Sequence, residues 1–327
     1  MDKLDYELLS IVVPCYNEEE TIPIFIKEIK KEIKEIKLNV EVIFVNDGSS
    51  DKTQEILQDV YTNNKSFVRV IDLSRNFGKE SAMLAGLKYS KGDLITVMDA
   101  DLQDPPTLLQ DMIYAICEEG YDAVATRRHT RKGEPLMRSF FARQFYNIIN
   151  KISDIDIVEG ARDYRMMTDQ VAEALLNMKE YNRFSKGLYE WIGFNTKYIE
   201  FENVERVAGN TSWSFWKLFK YAVEGIVSFT TMPLRIASLL GAVVSGFSFI
   251  YMMIIIIKTL VFGEVVRGYP SLMSVILALS GVQLLCMGIL GEYLARTYTE
   301  VKDRPRYIVK SILDFSSNSD EKELKIS

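Results

Sequence analysis

Histidine is almost missing from this chain, and cysteine is scarce. Of 327 residues, one is a histidine, His129, and three are cysteines, Cys15, Cys117 and Cys286. A histidine-based triad is not the natural reading, so any general base falls to a carboxylate. The cysteines are scattered and give neither a thiolate metal pair nor a disulfide framework, which fits a cytoplasmic setting. Glycine-rich phosphate loops are missing too: there is no GxxxxGK[ST], and no GxGxxG following a strand. A calcium loop opening at Asp99 would need Gly at its sixth position and Glu at its twelfth, where Asp104 and Gln110 stand. The net charge is −6, and no basic motif with interleaved aromatics is found, so nucleic acid is not an expected partner. The start, MDKLDYELLS, has no long apolar region, so no signal peptide is expected there.

One further absence is local. Ile236 to Ile257 holds no charged residue, and neither does Tyr269 to Gly291. Each run exceeds 20 residues, and about 20 helical residues cross the hydrocarbon core of a bilayer. Two such runs in tandem are read as transmembrane helices joined by a short loop. Basic residues flank the outer ends: Lys217, Lys220 and Arg235 before the first run, then Arg296, Lys302, Arg304, Arg306 and Lys310 after the second. The bias of positive charge places the large N-terminal part and the tail in the cytoplasm, on a multi-pass protein of the plasma membrane. The organisation expected is a catalytic domain over 1–210, a juxtamembrane amphipathic segment over 211–232, the two spans within 233–295, and a cytoplasmic tail over 296–327. Trp213, Phe215, Trp216, Lys217, Phe219 and Tyr221 suit a helix lying in the membrane interface. The final DFSSNSDEKELKIS is polar and reads as loose.

The N-terminal part alternates strands and helices. Leu9 to Pro14, Val40 to Val45, Val68 to Leu73, Leu94 to Met98 and Tyr121 to Thr126 are short apolar runs with the length of buried strands. Between them, Glu20 to Lys37 places Ile22, Ile26, Ile29, Ile33 and Ile36 at helical spacing. Helices are also expected over Thr53 to Tyr61, Glu80 to Leu87 and Leu108 to Glu119. This pattern predicts an α/β fold, a mostly parallel sheet with helices on both faces. Ligands of such sheets bind beyond the carboxyl ends of the strands. Four polar clusters fall at those ends: CYNEEE, NDGSSD, SRNFGKE and DADLQD. Four clusters on one edge predict one site.

Within LITVMDADLQDPP, Asp99 and Asp101 are two apart, and in an extended chain they point the same way. A carboxylate pair of this kind suits Mg²⁺ or Mn²⁺, which completes its shell with water and phosphate oxygens; a solvated acidic turn is the plainer reading. Gln103 is a further candidate ligand, and Asp104 is read as a cap for the helix that follows. Asp47 opens a tight turn, after which Ser50 or Asp51 can cap the next helix. Asp47 could accept from a base or ribose, and Tyr16 could pack on a base. Arg127, Arg128, Arg131, Lys132 and Arg138 form either a solvated basic loop or an anion clamp.

The series IVVPCYNEEETI, VNDGSSDKT, NFGKESAMLAG, MDADLQDPP and ARDYRMM, followed by two spans, resembles the family-2 glycosyltransferases of GT-A fold. More narrowly it is similar to the polyprenyl-phosphate glycosyltransferases, the bactoprenol glucosyltransferases and dolichol-phosphate mannose synthases. The resemblance implies inverting transfer of one sugar from a nucleotide diphosphate sugar to a polyprenyl phosphate, UDP-glucose and undecaprenyl phosphate being the leading pair and GDP-mannose the alternative donor. It implies that Pro14, Tyr16, Glu18 and Asp47, with Asp99, hold the nucleotide. Asp99, Asp101 and Gln103 would hold Mg²⁺ or Mn²⁺, so Asp101 counts as catalytic alongside Asp163, the acceptor-side carboxylate. Arg127 and Arg131 would face the acceptor phosphate or sugar, and Arg206 and Lys217 would close over the phosphates. A homo-tetramer is implied as well. The QxxRW motif of the polysaccharide synthases is missing, which favours single transfer over polymerisation.

Overall fold

In the computed structural model, the described residues are 6–128, 158, 160–181, 183–201, 230–262 and 268–314. His129, Arg131, Arg206, Lys217 and the aromatic stretch at 213–221 lie outside them.

Four expected strand–helix pairs form in order: β1 (Leu8–Cys15) and α1 (Ile22–Ile33), β2 (Asn39–Asn46) and α2 (Thr53–Asn63), β3 (Val68–Leu73) and α3 (Lys79–Tyr89), β4 (Leu94–Val97) and α4 (Leu108–Cys117). Pro23 starts α1, where its missing N–H is no loss. The isoleucine spacing runs on to Lys37, but the helix stops at Ile33, because the chain must turn to enter β2 at Asn39. Alternate residues of the strands feed two cores. Ile11, Val13, Val42 and Phe44 pack with Phe25, Ile29, Leu57 and Met112 on one face. Val12, Ile43 and Ile71 pack with Met83, Leu87 and Leu175 on the other. On that second face α3 lies so close to β1 that a Cβ on Gly86 would stand 2.1 Å from Val12 Cγ1.

Beyond β5 (Ala123–Arg128) the sequence reading placed no strands, and the structure adds three. Strand β6 (Ala161–Thr168) runs antiparallel between β4 and β5, then α5 (Asp169–Asn177) and α6 (Ser185–Trp191) lead to β7 (Thr196–Phe201), parallel to β5. The sheet order is β7-β5-β6-β4-β1-β2-β3-β8. Because β6 is reversed, its beginning, Ala161 to Asp163, shares an edge with the ends of β1 to β5.

The apolar runs form two long helices, α7 (Met232–Phe262) and α8 (Tyr269–Val301), each of which overruns the uncharged segment read from the sequence. Met232–Tyr251 and Ala278–Val301 are long and apolar enough to cross a membrane. Leu239, Phe247, Leu284 and Leu294 stand exposed on them, an apolar surface that water would not favour. The pair is tied by Tyr293 Oη donating to the Thr230 carbonyl, 2.7 Å. The last turn of α8 then meets the catalytic part, where Glu300 Oε1 accepts from the Tyr181 amide at 2.8 Å. After it, β8 (Val309–Leu313) pairs antiparallel with β3 and covers that edge of the sheet. The stretch expected as a separate tail is therefore in part a strand of the catalytic sheet.

Candidate active site

The polar clusters are stitched together across one edge of the sheet. After β1, Asn17 adopts φ +57, its amide donates to Ser49 Oγ (3.0 Å), and its Oδ1 accepts from the Ser50 amide (2.9 Å). The Glu18 amide donates to Thr53 Oγ1 (2.8 Å), and Glu19 Oε2 accepts from the Lys52 amide (2.9 Å). Thus the loops after β1 and β2 form one unit. The next stitch is Asp47. Gly48, at φ +63, lets the NDG turn press against the backbone of Arg75 and Asn76, where a Cβ would meet Arg75 C at 2.3 Å. Asp47 then accepts from the amides of Phe77 (2.7 Å) and Gly78 (2.8 Å) in the loop after β3. Burial raises the Asp47 pKa, and those two amides oppose the rise.

Lys79 makes the third stitch. It is the first residue of α3, just after Gly78 at φ +97. Its Nζ lies 2.7 Å from Asp99 Oδ1 and 2.9 Å from Oδ2, and 2.8 Å from Asp163 Oδ2 on β6. One ammonium therefore holds the carboxylate after β4 and the carboxylate at the start of β6. Burial would push the Asp163 pKa up, but Lys79, then Lys186 and Arg162, hold it well below the usual carboxylate range. Lys79 is in turn raised: burial opposes this, and the charges of Asp163 and Asp99 outweigh it.

The fourth stitch corrects the reading of Asp104. It does not cap α4, whose N-cap residue is Thr107 without a side-chain cap bond. Its buried carboxylate instead accepts from Arg162 Nε (2.9 Å) and Nη2 (3.2 Å). A second correction concerns Asp99 and Asp101. They were placed on one extended segment, but the chain already turns at 100–101 and Leu102 takes φ +53 ahead of the two prolines. Asp99 faces Lys79, while Asp101 is buried and its Oδ1 accepts from the Gln103 amide at 3.1 Å.

The remaining candidates have definite places. Pro14 is the penultimate residue of β1, and Tyr16 stands about half exposed just beyond the strand. Glu18 Oε2 accepts from Thr21 Oγ1 at 2.6 Å. Arg127, at the end of β5, is half exposed and 3.9 Å from Glu200. Sequence reasoning missed Lys79, Arg162 and Lys186. Lys79 and Arg162 left a signal, since Lys79 sits in SRNFGKE, one of the four clusters at the strand ends, and Arg162 in ARDYRMM; Lys186 left none.

A divalent cation fits the donors at this edge. Among the described residues, no three His, Cys, Asp or Glu side chains form a cage. Two carboxylates in different settings are present, Asp99 facing Lys79 and Asp101 buried, with the Gln103 amide bonded to Asp101. Mg²⁺ and Mn²⁺ are held in this way, by one or two carboxylates, the rest of the shell coming from water and phosphate. Both oxygens of Asp99 already face a positive charge, the Lys79 ammonium.

Residues 10–176 match the model of glycosyl transferase family 2, and residues 232–297 match that of the GtrB C-terminal hairpin. A prophage bactoprenol glucosyl transferase homolog of Escherichia coli is 43% identical over 93% of this chain and 99% of its own. The bactoprenol glucosyl transferase of Shigella phage SfII is 44% identical over 92% of this chain and 97% of its own. An uncharacterised glycosyltransferase of Synechocystis is 41% identical over 93% and 95%. Among solved structures, glucosyl-3-phosphoglycerate synthase of Mycobacterium tuberculosis is 17% identical over 69% of this chain and 78% of its own, at a TM-score of 0.45, a likeness too loose to carry an argument. The chain belongs to glycosyl transferase family 2: it is a glycosyltransferase with a GT-A catalytic sheet and a GtrB-type C-terminal hairpin.

Proposed function

We propose that this enzyme transfers one glucose from UDP-glucose to a polyprenyl phosphate of the undecaprenyl type, with inversion, at the cytoplasmic face of the membrane. The observation that carries the reading is the bridge from Asp99 through Lys79 to Asp163, which would set a metal-holding carboxylate beside one on the acceptor side. Relatives named as bactoprenol glucosyl transferases, aligned over more than nine-tenths of the chain, support the sugar and the lipid. The hairpin supports a lipid acceptor on physical grounds, because a long polyprenyl tail stays in the bilayer and the site must come to its surface.

Pro14, Tyr16, Glu18 and Asp47 lie along the joined loops after β1 and β2 and would receive the nucleoside. Asp99 and Asp101, with Gln103, would hold Mg²⁺ or Mn²⁺, which would offset the charge growing on the leaving diphosphate. The acceptor phosphate is already largely dianionic near neutral pH, its second pKa being about 6. It needs little deprotonation. Asp163, held well below the usual carboxylate range, is a weak base and suits a positioning role. Lys186, Arg162 and Arg127 supply positive charge toward two anionic substrates, and Arg131, Arg206 and Lys217 are proposed to add to it.

The test is turnover by the purified full-length enzyme with Mg²⁺ or Mn²⁺, undecaprenyl phosphate, and UDP-glucose or GDP-mannose in parallel. The expected product is a lipid-linked glucose made from the UDP donor. Asp101→Asn should lower kcat/KM by at least about 100-fold, the scale of losing one charge-stabilising contact. Unchanged turnover in that variant would remove the metal assignment. UDP release at full rate without lipid would remove the acceptor, and preference for GDP-mannose would replace the donor.

A further inference from the structure

Lys79 occupies an unusual position for a lysine at the start of a helix. Its ammonium takes both oxygens of Asp99 and one of Asp163, at 2.7, 2.9 and 2.8 Å, yet the side chain is 42% exposed. The backbone beneath it is fixed, because Asp47 holds the amides of Phe77 and Gly78, the two residues that precede it. The four-carbon stem above that fixed point can turn. A divalent cation taking up Asp99 would compete with this ammonium for the carboxylate, both of whose oxygens the ammonium now contacts. Two cations on one carboxylate also repel each other, which favours release of the ammonium. The bond to Asp163 uses an oxygen that the cation pair does not include, so it can persist.

We propose that Lys79 is a displaceable counter-ion: it joins Asp99 to Asp163 before the donor arrives, yields Asp99 to the divalent cation, and stays on Asp163 to orient that carboxylate during transfer. The proposal rests on the metal reading above and assigns Lys79 a positioning role in it. Two consequences follow from competition for one carboxylate. Removing the ammonium strengthens metal binding, because the cation no longer displaces a bonded partner. It also weakens transfer, because Asp163 loses the partner that fixes it. A merely structural lysine would give the second effect without the first. Asp99 and Asp163 would otherwise repel each other across a short gap, so the lysine also screens two like charges before substrate binds. Arg162, bonded twice to Asp104, is committed to that partner and cannot take over this task.

The experiment is Mn²⁺ binding to the full-length protein in detergent, read as the fall in the free-ion electron paramagnetic resonance signal, with Mn²⁺ alone as probe up to a roughly millimolar range. Lys79→Met should bind Mn²⁺ about fivefold more tightly than the wild type, as expected when a half-exposed, charge-assisted contact stops competing. Lys79→Arg, which keeps the charge, should stay within about twofold of the wild type. Lys79→Met should also lose kcat with little change in the KM for the donor. Equal or weaker Mn²⁺ binding by Lys79→Met overturns the proposal, and so does Mn²⁺ binding by neither protein. The failure of the metal reading itself is seen separately, as full turnover in Asp101→Asn. Near-ultraviolet circular dichroism of each variant reports the fold, and the Arg variant keeps the comparison alive should the Met variant not fold.

Discussion

Strands β1 to β4 each lead into a helix and run parallel, whereas β5 to β7 pair in mixed directions around the reversed strand β6. The two halves of the sheet also bring different things to the site. The first half supplies loops that hold one another: Asn17 to Ser49, Glu19 to Lys52, Asp47 to Phe77 and Gly78. The second half supplies charge on strand residues, Arg162 and Asp163 on β6 and Arg127 on β5. Under the function proposed above, an extended nucleotide would need a long rim of backbone and short polar side chains, which joined loops would provide. Holding a phosphate against a carboxylate calls for fixed charges, and a strand fixes them better than a loop. Beside the pairing of β4 with β6, two ion pairs join the halves at the site, Lys79 on Asp163 and Asp104 on Arg162.

The largest test of this division is at the second seam. Asp104→Ala leaves the Arg162 guanidinium without its bidentate partner in a largely buried place and should cost about 3 kcal/mol of stability. Thermal unfolding in detergent checks it. The same truncation at Glu41, whose partner Arg69 is more deeply buried at the opposite end of the strands, should cost at least as much. The two variants should part in activity. Folded Asp104→Ala should lose transfer because Arg162 adjoins Asp163, while folded Glu41→Ala should keep it. Equal activity in both would mean the seam holds the sheet and nothing more.

Legibility in the sequence followed the same line. Each of β1 to β4 has helices over both faces, so it reads as a mostly apolar run, and its helix follows at recognisable spacing. That makes the loops at the strand ends visible as four polar interruptions. Strand β6 (ARDYRMMT) carries two arginines and an aspartate in its first five residues and resembles a loop. Arg165 is nonetheless fully buried, its guanidinium 4.0 Å from the centre of the Tyr189 ring, a contact that no local pattern announces. Asp163 was reached only through resemblance to a family. Lys79 lies just before the helix expected over Glu80 to Leu87, and nothing local singles it out from its polar neighbours. Asp104 looked like a cap because it precedes a proline, and only the fold brings Arg162 to it. Long-range pairing between charged residues is the information that periodicity does not contain.

A middle-sized effect is expected on the side that was legible. Gly86→Ala adds a carbon 2.1 Å from Val12 Cγ1, so α3 must shift away from β1. Overpacking of this kind costs about 2 kcal/mol. The shift would carry Lys79, at the start of the same helix, away from Asp99 and Asp163. Shortening the neighbour in Gly86→Ala/Val12→Ala should recover much of the stability, a non-additivity that chemical denaturation or thermal midpoints will show. Additive losses would mean that α3 does not rest on β1 as described.

The smallest effect concerns pH, and it bears on what Asp163 is for. Its folded pKa lies well below the usual range, chiefly because Lys79 overcomes the effect of burial. A carboxylate depressed in this way contributes stability above its unfolded pKa of about 3.9, and the contribution fades as pH falls below that value. Lys79 is raised, so its share is present below an unfolded pKa of about 10.4 and is lost only at higher pH. The pair should therefore be indifferent to pH between about 5 and 9. Both side chains are partly exposed, 42% for Lys79 and 28% for Asp163, so solvent screening keeps the contribution below about 1 kcal/mol. The difference in thermal midpoint between wild type and Asp163→Asn should stay level from pH 8 to pH 5 and close below about pH 4. A difference that changes between pH 5 and pH 8 would mean that Asp163 takes up a proton near neutrality. It would then have the pKa of a working general base, and the distinction between a half that binds and a half that positions charge would give way to one in which β6 moves a proton.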